Sequence, residues 1–165
     1  MSGVYSPKSK ADMKASFPMA PPAIVGKPNA KSLFDLLLHL IACAQSHRVP
    51  GNNGLNLLHI AVTGQMYNHF LDAAAGGAEP PRAQDPGDTP THVPGGDAGQ
   101  RSNEKLMWEQ DQKAFNEELN MEAGLIERML EQIPQDYKKD FLTHYSRNPN
   151  MTFQEAFLWF YNRYG

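Results

Sequence analysis

The sequence predicts an all-α protein: a small helical domain, in one lobe or two, with a flexible N-terminal arm and a Pro/Gly-rich central loop. Two observations support this fold class. Apolar residues recur at spacings of three, four and seven within residues 32–75 and 101–165, as on one face of a helix. Clusters of proline, glycine and asparagine separate these segments and mark where helices end.

Residues 1–31 are predicted to be a flexible basic arm. Five prolines lie there among small and basic residues, a composition that cannot bury enough apolar surface to offset chain entropy. Five lysines outnumber the single acidic residue, Asp12, so the arm carries +4 and the remainder −7 of the total charge of −3. Because no core residue is expected in the arm, a chain that begins at Ser32 should keep its fold.

The N-terminal helical part follows the arm. Ser32 can cap its first helix, and Pro50-Gly51 closes the segment. The apolar run 55–62 is too short for periodicity to assign it to a strand or a helix. Thr63 should then cap a further short helix. The apolar stripes of the two helices are Leu33, Leu36, Leu37, Leu40 and Ile41, and then Met66, Tyr67, Phe70 and Leu71.

Residues 76–100 are predicted to be a linker or a long exposed loop, which begins at Gly76-Gly77 where the preceding helix stops. Five prolines and six glycines occupy these 25 positions, and no apolar period runs through them. Such a segment can separate two small lobes or form a surface excursion of one domain. The sequence leaves both arrangements open.

The C-terminal helical part, 101–165, carries the strongest pattern. Apolar residues at heptad spacing predict a long helix that packs through one seam. Pro134 interrupts that helix, because proline cannot donate the helical hydrogen bond, and a second helix should start there. Thr152 and Glu155 form a T-x-x-E capping box that starts a last, aromatic helix. The seam consists of Trp108, Phe115, Leu119, Ile126, Met129 and Ile133.

Cysteine usage and hydropathy limit where the protein can act. Cys43 is the only cysteine, so the chain can form no internal disulfide and no cysteine-rich zinc site. The longest apolar run, 33–44, is interrupted by Asp35 and His39 and is well short of the roughly 20 residues that cross a bilayer. The N-terminus lacks the apolar core of a signal peptide. We therefore expect a soluble, cytoplasmic protein with no membrane partner.

His39, Cys43 and His47 share one helix face at i, i+4, i+8 spacing. They could offer a thiolate with a base, or three metal ligands. A structural role is the stronger interpretation, because single buried cysteines behave as small hydrophobes and no orienting carboxylate follows at a suitable spacing. We expect Cys43 to be structural.

Asp111, Glu118 and Glu122 could be inward carboxylates of a di-metal bundle, but that architecture needs Glu-x-x-His pairs on other helices, and the sequence has none. We expect this acidic face to lie in solvent. The segment 51–54 lacks the Lys-Ser/Thr pair of a phosphate loop, and no Gly-x-Ser-x-Gly elbow occurs. These observations predict no enzyme activity, cofactor, metal or small-molecule substrate.

The last helix carries more aromatic rings than one face can hold. Part of the cluster can fill a core, and the rest can form an interface, where Trp and Tyr are favoured. Alternatively, the rings only clamp this helix to the helix of Trp108. Together with the first leucine-rich helix, the predicted self-association surface comprises Trp159, Phe160, Tyr161, Tyr164, Leu37 and Leu40.

A series of short motifs occurs in a characteristic order along residues 27–165. In this order they resemble the Gag capsid region of divergent copia-type LTR retrotransposons of unicellular eukaryotes. The motifs are Lys27-Pro28, a leucine-rich helix, Asn53-Gly54-Leu55-Asn56-Leu57 before Thr63-x-x-x-Tyr67, Pro86-Gly87-Asp88-Thr89-Pro90, Trp108-x-x-Asp111, Ile133-Pro134-x-x-Tyr137 and Tyr164-Gly165.

The resemblance implies a helical, capsid-like polypeptide that multimerises into a virus-like particle around the element's RNA, without catalytic activity. Gag chains often carry a Cys/His zinc knuckle for RNA, and this sequence ends at Gly165 with a single cysteine. Non-specific RNA contact would then fall to a segment outside this sequence or to the lysines of the arm, which are Lys8, Lys10, Lys14, Lys27 and Lys31. A non-catalytic helical adaptor of a larger assembly is the alternative, and an enzyme ranks third.

Overall fold

The computed structural model describes residues 10–46, 56–70, 79–80, 82–87 and 98–165, and within these ranges the regular secondary structure is entirely helical. The all-α prediction is confirmed. None of the helices described is long and apolar enough to cross a membrane. The helices are α1 (Lys10–Ala15), α2 (Ala30–Gln45), α3 (Leu58–Ala61), α4 (Gly64–Phe70), α5 (Ala98–Gln132), α6 (Gln135–Arg147) and α7 (Phe153–Tyr164).

The long helix α5 is central, because α1, α2, α3 and α7 all pack against it. Three residues of the predicted seam are buried, but Leu119 is 45% exposed, so that position of the seam was wrong. Helices approach α5 from more than one side, so its buried face is wider than one heptad stripe. The buried apolar residues of this region are Met121, Leu125, Ile126, Met129 and Ile133.

Helix α2 begins two residues before the predicted cap. Asn29 is the N-cap, and its side chain accepts a hydrogen bond from Ser32 N at 2.9 Å. Ser32 Oγ in return accepts from Asn29 N at 2.9 Å, which completes a reciprocal capping box. Ser32 is therefore the N3 partner and not the cap. The predicted leucine stripe is confirmed as the buried face of α2.

Of the ambiguous apolar run 55–62 the structure describes 56–62, which contains a single helical turn, α3, wholly buried against α2, α5 and α7. Thr63 directly precedes α4, where it was predicted to cap the helix, and its hydroxyl donates to Gln154 Oε1 at 3.3 Å. Tyr67 is buried and anchors α4 in the core, whereas Met66 of the predicted stripe is 39% exposed. The predicted stops at Pro50-Gly51 and Gly76-Gly77, with Leu71, lie outside the described residues.

The segment 10–31 is not an unstructured arm, and this prediction was wrong. Met13 is fully buried in α1, and Phe17 is 9% exposed. The ring of Phe17 lies over Gly124 of α5, where a Cβ atom would come within 3.3 Å of the Phe17 ring. The absence of a side chain at Gly124 thus lets the N-terminal segment approach α5 closely. Residues 1–9 lie outside the described part of the chain.

The two C-terminal helices begin at the residues predicted from the sequence. Pro134 separates α5 from α6 and is the residue before the first turn of α6. Thr152 caps α7 by accepting a hydrogen bond from Glu155 N at 3.1 Å. Glu155 Oε1 accepts from the Thr152 hydroxyl at 3.1 Å and not from Thr152 N, so only half of the predicted capping box forms. In the core of the described residues, Phe141 of α6 and Phe160 of α7 join the buried residues of α1, α2 and α3 in one cluster. The N-terminal and C-terminal helical parts therefore share a core.

Candidate functional site

The only buried cluster of several charged side chains among the described residues lies where α3, α5, α7 and the segment 82–87 meet. Glu118 and Glu122 stand one helical turn apart on α5, and each is 8% exposed. The prediction that this acidic face lies in solvent was therefore wrong for these two glutamates. Asp111, about two turns before Glu118, is exposed as predicted.

Arg82 joins the two glutamates. Its Nη2 lies 2.5 Å from Glu122 Oε2, and its Nε lies 3.4 Å from Glu118 Oε1. The backbone N–H of Ala83 also donates to both oxygens of Glu118, at 3.0 and 3.1 Å. A carboxylate buried without a positive partner is costly, so Arg82 and the Ala83 amide are what make this burial tolerable.

His59 of α3 completes the cluster. Its Nε2 lies 3.2 Å from Glu118 Oε2, and the two side chains are 6% and 10% exposed. The carboxylate oxygen of Glu118 accepts a hydrogen bond, so Nε2 is the donor and Nδ1 is the other ring nitrogen. Nδ1 is buried without a hydrogen-bond partner. The pair resembles the base and orienting carboxylate of a catalytic dyad, but none of the contacts described brings a nucleophile to Nδ1.

The cluster also holds the start of α7. Glu122 Oε1 accepts a hydrogen bond from Phe153 N at 2.7 Å, and Phe153 is the first residue of α7. The first amides of a helix have no partner within the helix, and they carry its positive dipole end. A buried carboxylate is a suitable acceptor for such an amide. The geometry therefore supports a clamp that ties α3, the segment 82–87 and α7 to α5.

The described residues contain no group of three or more histidine, cysteine or acidic side chains that could hold a metal ion. His47, one of the three side chains considered from the sequence, lies outside them. His39 and Cys43 do meet, with Sγ 3.5 Å from Nε2. Arg128 Nη1 lies 3.1 Å from the same nitrogen, so Nε2 faces two donors and acts as an acceptor.

The electrostatics of this pair disfavour a thiolate. Burial raises the pKa of the Cys43 thiol to about 11, although Arg128 acts in the opposite direction. Burial lowers the pKa of His39, and the nearby charge of Arg128 lowers it further. A neutral thiol beside a neutral imidazole is the arrangement of a packed core cysteine and not of an activated nucleophile.

Cys43→Ser is expected to cost about 1–3 kcal/mol of the free energy of unfolding, because a hydroxyl replaces a packed thiol. The raised pKa means that the folded chain holds the thiol proton more tightly than the unfolded chain. The resulting stability is present below the ordinary pKa of 9.0 and is lost as the pH rises toward about 11.

Urea unfolding of both proteins between pH 8 and 11 checks this prediction, because serine does not titrate there. The stability difference between wild type and variant should shrink as the pH rises. A difference that is constant with pH would contradict the burial of the thiol.

The residues predicted to form the self-association surface separate into two groups. Phe160, Leu37 and Leu40 are buried in the core and cannot contact a second copy while the chain keeps this fold. Tyr161 is 42% exposed, and Trp159 and Tyr164 are partly buried. The Trp159 ring packs edge-on against Phe141 of α6 at 5.3 Å between centroids, so this ring clamps α7 to α6 and not to α5, the helix of Trp108, as the alternative expected.

The predicted nucleic-acid lysines also separate. Lys14 pairs with Glu127 at 2.9 Å and with Glu131, so its charge is directed toward α5. Burial lowers the pKa of Lys14, but hydrogen bonds to these two glutamates outweigh it and raise that pKa above 10.5. Lys27 and Lys31 are exposed. The side chains of Lys8 and Lys10 lie outside the described part of the structure.

Sequence reasoning missed Arg82 and His59. Arg82 lies in the Pro/Gly-rich segment, and His59 lies in the apolar run that periodicity could not assign. One available signal was that Glu118 and Glu122 flank Met121 on the face that also carries Leu125. Residues at these positions lie close to the side of the helix that carries the methionine, so glutamates there point inward when the methionine is buried.

Comparison with protein-family models, with curated proteins and with solved structures finds no match to this chain.

Proposed function

We propose that this protein is a structural, self-assembling helical protein of the Gag capsid type that multimerises through its outer helix faces. The observation that supports the proposal is a surplus of apolar side chains outside a core that is already filled. On α7, Leu158 is 51% and Tyr161 is 42% exposed, three residues apart on one face. On α2, Phe34 is 47% and Leu38 is 38% exposed, four residues apart.

These two faces belong to different helices, and that matters for assembly. A copy with a single self-complementary surface stops at a dimer, whereas a shell needs contacts that continue from copy to copy. Exposed aromatic and leucine side chains at helical spacing are suited to such contacts, because they exclude water over a contiguous area. We assign one contact to the α7 face of Leu158 and Tyr161 and a second to the α2 face of Phe34 and Leu38.

RNA packaging in this proposal rests on exposed basic side chains such as Lys27 and Lys31, since Lys14 is neutralised by α5. Phosphate contacts of this kind are independent of sequence and weaken steeply with salt. The proposed role for RNA is therefore to promote assembly by charge neutralisation rather than by base recognition.

Replacing Leu158 and Tyr161 together with Ser should arrest assembly at a small oligomer held by the α2 face. Phe34→Ser with Leu38→Ser should arrest it at the α7 contact, and the quadruple variant should be monomeric. Each double variant should weaken its own contact by about thirtyfold or more, as loss of an interface centre does. Light scattering behind size-exclusion chromatography, at several concentrations and salt levels, gives the masses.

The matched control is Leu106→Ser with Met107→Ser on the first half of α5, where the side chains are 53% and 64% exposed. It replaces apolar side chains that are more exposed than those of either face, and it should assemble like wild type. A wild-type chain that stays monomeric at high micromolar concentration would reject self-assembly and favour the adaptor. Circular dichroism should show unchanged helix content in all of these variants.

A further inference from the structure

A cavity of about 280 Å³ lies between the extended segment that precedes α2, the first turns of α2 and the end of α5. It is distinct from the buried glutamate cluster and from the outer faces proposed for assembly. The residues that line it include four apolar ones, Pro21, Pro22, Ile24 and Leu36, and three polar ones, Ser32, Asp35 and Gln132.

The wall of this cavity is fixed at both ends. Ile24 N donates to the backbone oxygen of Gln132 at 2.8 Å, and Arg128 Nη1 donates to Pro18 O at 3.1 Å. Between these two points, Pro21 and Pro22 restrict the backbone to a narrow range of φ. A ligand therefore meets a preformed cavity and does not have to order the segment on binding.

One of the polar residues that line the cavity has a buried acceptor without a partner. The Ser32 hydroxyl is occupied by the α2 cap, whereas Asp35 is exposed and its carboxylate forms no hydrogen bond or ion pair within the part of the chain that the structure describes. Gln132 is 7% exposed, and its Oε1 is buried without a partner. An unsatisfied buried amide is costly, and proteins keep few of them.

We infer that this cavity binds a primary ammonium or guanidinium group carried on a short aliphatic stem. The Asp35 carboxylate provides the charged acceptor, and Gln132 Oε1, which is buried without a partner, provides a second acceptor. The proline, isoleucine and leucine side chains cover the methylenes of the stem. The volume lies just under the roughly 300 Å³ at which drug-sized ligand pockets begin, which suits a fragment of this size.

The probes are n-butylammonium and its neutral counterpart 1-butanol, titrated into the full-length ¹⁵N-labelled protein at a concentration and salt level where light scattering shows no assembly. Butylammonium should shift the amides of Ile24, Asp35 and Gln132 in a saturable way, and butanol should bind at least about tenfold more weakly, as loss of a charge-assisted hydrogen bond predicts. Asp35→Asn should lower butylammonium affinity by the same factor. Asp111→Asn, an exposed carboxylate on α5, is the matched control and should have no effect.

A blocked peptide with one lysine separates the two sources of this chemistry. Binding of the peptide but not of butylammonium assigns the cavity to a polypeptide side chain, and the reverse assigns it to a free amine. The inference is overturned if neither binds, if butanol binds as well as butylammonium, or if Asp35→Asn leaves the affinity unchanged. None of these outcomes depends on self-assembly, so they leave the proposed capsid function to its own test.

Discussion

Met13→Ala is expected to lower the free energy of unfolding by about 2–5 kcal/mol, the range found when a large apolar side chain is removed from a close-packed core. Met13 is fully buried, although it lies in a segment whose composition predicts a flexible arm. Its removal leaves a cavity in the core cluster that Met13 shares with α2 and α5, and close-packed neighbours relax only partly into such a cavity. Urea unfolding followed by circular dichroism measures the loss.

Met19→Ala provides the matched control, because Met19 is 94% exposed and lies only six residues further along the chain. The same chemical change there should alter stability by no more than about 0.5 kcal/mol. A chain that begins at Ser32 should lose more than Met13→Ala, since it also lacks Phe17 and Ile24. Equal stability of the two methionine variants would contradict the packing of α1 on α5 and restore the flexible arm.

The contrast between α1 and the C-terminal helices shows which parts of this fold a sequence can predict. Pro134 and the Thr152–Glu155 cap act within a few residues, through backbone geometry and local hydrogen bonds, so their consequences were predicted correctly. Helix α1 has only six residues and is followed by prolines. It is too short to be stable alone and exists because Gly124 of α5 leaves room for it.

The buried glutamate cluster was beyond sequence reasoning for a related reason. A glutamate on an amphipathic helix is normally solvated, and its burial requires a cation from elsewhere. Here that cation comes from a segment rich in proline and glycine, 36 residues before Glu118 and without any periodic pattern. Which charge reaches which carboxylate depends on how that segment crosses α5, and this is a tertiary property that no local motif encodes.

Arg82→Met is expected to destabilise the fold by about 3 kcal/mol, because it leaves two buried carboxylates without their shared cation. The Arg82 side chain is 40% exposed, so water entering from its side recovers part of the loss and keeps the cost at the lower end of the range for buried pairs. The shift of the urea unfolding midpoint measures this loss of stability, provided that the m-value is the same for both proteins. Arg163→Met is the matched control, because its partner Asp140 is 70% exposed, and should cost less than about 1 kcal/mol.

A double-mutant cycle with Glu122→Gln distinguishes loss of charge compensation from loss of packing. Glutamine keeps an oxygen that can accept from Phe153 N but removes the negative charge, so it should recover at least about 1 kcal/mol in the Arg82→Met background. In the wild-type background the same change should destabilise, since Arg82 then loses its closest partner, 2.5 Å away. Additive costs in the cycle would show that Arg82 stabilises the segment 82–87 by packing alone. A positive coupling would show that the charge of Arg82 stabilises the packing of α3 and α7 on α5. The reason is that the carboxylates that Arg82 contacts also bind His59 of α3 and the first amide of α7.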